Sequence, residues 1–139
     1  MHKEMEICVI HAAFEDIPKI VATVDIPDDV QGEADDLDAL EYAYRWTQNI
    51  HGSWSRGAKL PDSHVSFTHD NPDWNERVKR IADLPTHLGE TLGLRSTSAG
   101  DFMSISTKDG QIRRYKVVSV GFDPVEDVDF PIIEAWESD

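Results

Sequence analysis

Lysine and arginine are missing altogether from residues 25–41 and 123–139, although these stretches hold eight and seven acidic residues. A one-signed field of that kind repels nucleic acid and membrane phosphates and attracts surfaces built to bind them. Cysteine occurs once, at Cys8, so no intramolecular disulfide can form and a reducing, cytoplasmic location is expected. Its setting, EICVI, reads as a strand, which makes Cys8 a small buried residue rather than a nucleophile. Apolar runs are strand-sized, far short of the ~20 residues a spanning helix needs, and the charged start MHKEMEICV has no signal-peptide core. The phosphate-binding and nucleophile-elbow patterns GxGxxG, GxxxxGK[ST] and GxSxG are all lacking.

What is present is patterned charge. The formal net charge is −14 over 139 residues. Residues 1–44 hold 2 bases and 12 acids (−10), residues 45–116 hold 11 and 8 (+3), and residues 117–139 hold 7 acids and no base (−7). A chain of this length fits a single domain, 1–139, that buries enough surface to fold without metal or disulfide.

Met5 to His11 and Lys19 to Ile26 are rich in Ile and Val and read as neighbouring strands, with Pro18 closing the connection. A helix is expected from Asp35 or Asp36, either serving as cap, to Gly52, with Leu37, Leu40, Tyr44, Thr47 and Ile50 on one stripe. The insert 53–93 is weakly patterned, although Pro72 suits the first turn of a helix starting at Asn71, with Trp74, Val78 and Ile81 on its face. FMSISTKDGQIRRYKVVSV reads as a hairpin. A three-residue loop with Gly110 left-handed pairs Ile105 with Arg113 and Met103 with Tyr115, putting Met103, Ile105, Tyr115 and Val117 on one face. FPIIEAW near the end suits an edge strand, where Pro131 is tolerated. The fold expected is α+β: a twisted antiparallel sheet, one principal helix packed on it, a C-terminal hairpin, and acidic segments at both ends.

Few residues suggest chemistry. LRSTSAGDF offers three hydroxyls, Gly100 and Asp101 in succession, the composition of a sharp self-satisfied bend. Read as an active site it would use Arg95 as anion clamp, Ser96 or Ser98 as nucleophile and Asp101 beside them, but no histidine is adjacent in sequence. His64, His69 and Asp70 fit no tight ligand spacing, and neither a Cys pair nor HExxH is present, so no metal or other cofactor is expected. Trp46, Trp54, Trp74 and Trp136 lie mostly beside polar residues, as interface anchors do, though core packing or loop pinning explains any one of them better. On the hairpin's outer face Arg114 and Lys116 lie near Phe102. The strand Arg113 to Lys116 is therefore the alternative site, for RNA or DNA held by charge and stacking.

LRSTSAGDF, YKVVSVGF and the helix end TQNIHGSW together resemble a group of small phage, plasmid and bacterial proteins of unknown function, with the YodL-like proteins sharing part of the pattern. The shared order is a strand, an acidic helix ending near an Asn, a nearby Trp, an RSTSxGD segment, and a strand ending in GF. Here these are DDLDALEYAYRWTQN, Trp54, Arg95 to Asp101, and Tyr115 to Phe122. The insert 59–93 is longer than the group's pattern, and the tail after Asp127 is particular to this chain. The resemblance implies no activity; it implies a mobile-element setting. With the charge pattern, the expected function is binding, not catalysis: an inhibitor that mimics DNA and blocks a basic nucleic-acid-binding host protein. Its contacts would be Asp28, Asp29, Glu33, Asp35, Asp36, Asp38 and Glu41, with Asp123, Glu126, Asp127 and Asp129. Duplex DNA offers one charge per about 1.7 Å of axis for them to imitate. Direct binding of nucleic acid or membrane is not expected, and the sequence sets no oligomeric state.

Overall fold

The computed structural model describes residues 5–30, 36–61 and 68–131 of the chain. Strand β1 (Met5–His11) turns at FEDIP into β2 (Lys19–Asp25), both built from the β-branched runs that suit a pleated, half-buried surface. A 3-10 turn at Asp28–Val30 leads towards helix α1 (Leu37–Arg45). The insert then contributes β3 (Lys59–Pro61) paired with β4 (Thr68–Asp70), β5 (Val78–Arg80), and the short pair β6 (Thr86–His87) and β7 (Glu90–Thr91). The chain returns as β8 (Phe102–Thr107), β9 (Ile112–Val117) and β10 (Phe122–Pro124), followed by a 3-10 turn at Asp127–Asp129. One antiparallel sheet in the order β10-β9-β8-β1-β2-β5 carries the fold, so the protein is α+β.

The hairpin forms in the expected register, with Ile105 opposite Arg113 and Met103 opposite Tyr115. Gly110 has φ 93°, and its N–H donates to the Thr107 carbonyl across the loop. Side chains alternate between the faces of a strand, so the sheet has two differently covered sides. On the helix side Met5, Ile7, Val9, Val24, Met103, Ile105 and Val117 join Ala39, Leu40 and Ala43 of α1 in the main core. On the opposite side Ile10 and Phe130 are buried against Cys8, Ile20, Phe102 and Val125, because the chain after β10 folds back over the sheet. Cys8 lies in this second cluster, where burial first, and then Glu6, push its thiol up to about 12.

Two expectations are corrected, and a third lies mostly outside the described residues. α1 ends at Arg45 rather than Gly52; of the expected stripe Leu40 and Thr47 are buried, with Ala39 and Ala43 beside Leu40, while Leu37, Tyr44 and Ile50 are exposed. Small alanines let the helix lie close to the sheet, and Asp36, turned inward, sets its rotation. Asn71 starts no helix: Asn71–Arg77 form turns and Val78–Arg80 pair with β2, giving the sheet its outer strand. Val78 gains a cross-strand partner in Val24 there, which outweighs the local signal of Pro72. β10, with Pro124 in it, forms the edge opposite β5; of the expected final strand FPIIEAW, residues 130–136, Phe130 closes a 3-10 turn and 132–136 lie outside the described residues.

Candidate functional site

The segment 94–101 lies at the centre of a buried polar junction. Asp101, fully buried, accepts N–H groups of Ala12 (2.8 Å), Ala13 (2.9 Å) and Ser98 (2.7 Å), and receives two guanidinium bonds from Arg95 at 2.8 and 2.9 Å. Burial alone would raise this carboxyl, but the Arg95 bonds and the three N–H groups outweigh it and hold it below the ordinary range. Arg95 also grips Glu15 at 2.8 and 3.0 Å, which lowers Glu15 in turn, and its guanidinium lies 4.9 Å over the Phe14 ring. The β1–β2 loop is thereby fastened to the start of β8.

A histidine that sequence proximity did not offer completes the junction. His11, 86 positions from Thr97, brings Nε2 within 3.0 Å of Thr97 Oγ1 and 3.9 Å of Asp101. Thr47 donates to the Ala43 carbonyl and Thr97 donates to Thr47, so each hydroxyl proton is committed. Thr97 is left with lone pairs, and His11 Nε2 must carry the hydrogen between them. This is not a catalytic relay. A relay uses both ring nitrogens, one toward the nucleophile and one toward the acid, whereas here a single nitrogen faces both. Burial, with Arg95 opposing Asp101, drops His11 from its ordinary 6.5 to about 4, and His11, Thr97 and Asp101 are at most 1% exposed. The signal that would have found His11 is its place at the end of a buried strand, one step beyond the apolar alternation.

Of the other elements of the pattern, Asn49 and Trp54 reach the same segment. Asn49 donates to the Leu94 carbonyl and accepts the Trp54 N–H, and Trp54 Nε1 donates to the Arg95 carbonyl. Ser96 Oγ accepts the Asn49 N–H, and Gln48 reaches the Thr97 carbonyl. Phe122 of the GF pair meets the Tyr44 ring edge-on at 6.1 Å. A second buried carboxylate, Asp73, gathers the N–H groups of Ile50, His51 and Gly52 at 2.7–2.9 Å, with Arg45 at 3.4 Å. Of the candidate catalytic set, Arg95 and Asp101 are therefore saturated by internal bonds, and the Ser98 N–H serves the bend.

The acidic candidates separate into three groups. Asp28, Asp29, Asp38 and Glu41 are exposed, flanking or on α1, while Glu33 and Asp35 lie outside the described residues. Asp36 is turned inward: it accepts two bonds from Arg113, at 2.7 and 2.9 Å, and one from the Tyr115 hydroxyl at 2.6 Å. Burial opposes its charge, but these bonds prevail and its carboxyl stays below the ordinary range. Asp36 therefore belongs to the fold and not to an outer surface. Asp123, Glu126, Asp127 and Asp129 are exposed, yet Asp123 is in register with Lys116 and Asp127 meets Arg114 at 2.5 Å. Arg113 and Arg114 point to opposite faces, so Asp36 and Asp127 mark opposite sides of the sheet. Among the described residues, the Asp36 and Asp127 ends of the two acidic segments therefore lie on different sides.

The same contacts occupy the alternative site. Arg113 is held by Asp36 and Gln111, Arg114 by Asp127 with Phe130 beneath it, and Lys116 lies 5.9 Å from the Phe102 ring. His69 and Asp70 are exposed, Asp70 pairs with Lys59, and no cluster of metal-ligating residues occurs among the described residues; His64 is outside them. No helix among the described residues is long and apolar enough to cross a membrane. Compared with protein-family models, curated proteins and solved structures, the chain has no match in any of the three.

Proposed function

We propose that the protein is a binding protein whose helix-side acidic face imitates the phosphate array of DNA and occupies the nucleic-acid-binding groove of a basic host protein. The mobile-element setting is carried by the RSTSxGD resemblance. One observation supports the mimicry most directly: Asp28, Asp29, Asp38 and Glu41 are exposed in a segment without Lys or Arg, and the bases beside it, Arg45, Arg77 and Arg113, already face Asp73, Asp25 and Asp36. The field of this face therefore stays negative and reaches a basic partner before contact, raising the association rate. The tail acids stand next to Arg114 and Lys116 on the other side, so they leave the proposed contact set together with Asp36.

The test compares two charge-neutralised proteins. One carries Asp28→Asn, Asp29→Asn, Asp38→Asn and Glu41→Gln; the other carries Asp123→Asn, Glu126→Gln, Asp127→Asn and Asp129→Asn. A basic host protein captured at low salt and released by added duplex is the binding target. The helix-side variant should associate about tenfold or more slowly with a flatter salt dependence, and the tail variant should bind like the parent. Equal binding by parent and helix-side variant, both folded, refutes the reading.

A further inference from the structure

Within this acidic molecule one concavity is lined by bases and tryptophans. It measures about 290 Å³, and among its walls are Trp54, Arg56, Gly57, Trp74, Val78 and Arg80, with no acidic side chain among its lining residues. Strand alternation sets part of it: Val78 and Arg80 are opposite Val24 and Ala22, whereas Lys79 faces the other way. The Arg56 wall is held by a fixed loop. Asn71 donates to the carbonyls of Ser53 and Gly57, its N–H reaches the Ala58 carbonyl, and Ser55 Oγ accepts the Leu94 N–H. Gly93 leaves room for the Arg56 stem, since a Cβ there would come within 3.2 Å of Arg56 Cγ and Cδ and would strike Ser53 Oγ.

Among the described residues neither Arg56 nor Arg80 pairs with a carboxylate; Arg80 bonds only the Ala82 carbonyl, at 2.6 Å. Every other arginine among the described residues has an acidic partner within 3.5 Å. In a protein with twice as many acids as bases, two guanidinium groups without carboxylates in one cleft are cations kept for an outside anion. Guanidinium forks match phosphate oxygens two at a time, and a half-exposed tryptophan such as Trp74 offers its face to a planar ring.

We propose that this cleft binds a single free nucleotide, its base stacked on Trp74 and its phosphate between Arg56 and Arg80. The volume is at the lower end of ligand pockets, which run from about 300 Å³, and suits one base with one phosphate. A strand is disfavoured because each further phosphate meets the negative field of the whole molecule. The site is independent of the acidic face proposed above.

Titrating AMP or UMP into the full chain, followed by heat and by tryptophan fluorescence, tests the assignment. Saturable binding is expected, with adenosine and inorganic phosphate each about tenfold weaker than AMP, because stacking and charge each contribute on that order. Trp74→Ala, and Arg56→Gln with Arg80→Gln, should each weaken AMP by about tenfold or more at unchanged melting temperature. The comparison of AMP with its two parts needs no variant and stands even if one fails to fold. Absence of saturation at millimolar nucleotide, AMP no tighter than phosphate alone, or variants binding like the parent overturns the proposal. Tighter, Trp74-dependent binding of a thymidine oligomer would assign the cleft to a strand and overturn it equally.

Discussion

His11 and Asp101 respond to acid in separate windows. In the unfolded chain His11 takes a proton below its ordinary 6.5, while in the folded protein it stays neutral down to about 4. The unfolded state therefore binds more protons between those limits, and stability falls as pH drops through them, by about 1.4 kcal/mol per unit and about 3 kcal/mol in all. Urea unfolding at intervals from pH 7 to 4 should show this slope, and His11→Gln, which keeps a donor toward Thr97, should flatten it. The carboxyls of Asp101, Glu15, Asp36 and Asp73 are depressed, so their contribution is complete above the ordinary carboxylate range and is lost as pH falls through their lower folded values. A second, steeper loss is expected there. At neutral pH, Asp101→Asn leaves Arg95 short of a buried charge partner and should cost roughly 3 kcal/mol in the same measurement.

At the scale of elements, two glycines distinguish a free loop from a packed one. Gly110 has φ 93° at the tip of the β8–β9 hairpin with nothing near its missing side chain, so Gly110→Val carries only the backbone penalty of about 1 kcal/mol or more. Gly100 has φ 100° and a Cβ there would lie 2.9 Å from that of Ala13, so Gly100→Ala adds a collision with the β1–β2 loop to the same penalty. Thermal melting should rank Gly100→Ala as the more damaging despite its smaller side chain. Helix α1 gives a parallel case. Leucine and tyrosine spacing marks a stripe through Leu37 and Tyr44, yet the buried line runs through Ala39, Leu40 and Ala43 because Asp36 is drawn inward to Arg113 and Tyr115. Asp36→Ala should destabilise the fold by about 1–2 kcal/mol in chemical unfolding, since the buried carboxylate is lost and Arg113, a third exposed, keeps only Gln111.

For the whole molecule, charge is sorted by side of the sheet. Asp127 and Asp123 stand beside Arg114 and Lys116 of β9 on one side, and Asp28, Asp29, Asp38 and Glu41 are exposed on the other. The Arg114–Asp127 pair is solvent-exposed at Asp127, so Asp127→Asn should change stability by under about 1 kcal/mol. Its consequence is electrostatic. The parent should not shift labelled duplex at physiological salt, and Asp123→Asn with Asp127→Asn should begin to do so at low salt as Arg114 and Lys116 lose their neighbours, which a gel-shift titration reads directly.

Local rules in the chain determined the strands β1 and β2, the hairpin register and the bend at 95–101, because alternation, the Asp-Gly loop and a run of small polar residues each act over a few positions. The net negative face and its lack of bases are equally a property of composition. Only the tertiary structure decided which way Asp36 turns, that Val78–Arg80 is a strand, and that His11 belongs with Thr97 and Asp101. Each of those depends on partners 54 to 90 positions away, Val78 on Val24 and His11 on Asp101 among them, where pairing energy exceeds local preference. The cleft of Arg56, Trp74 and Arg80 is of this kind too: its bases are scattered in the chain, and the sheet edge and the Asn71-bound loop bring them together.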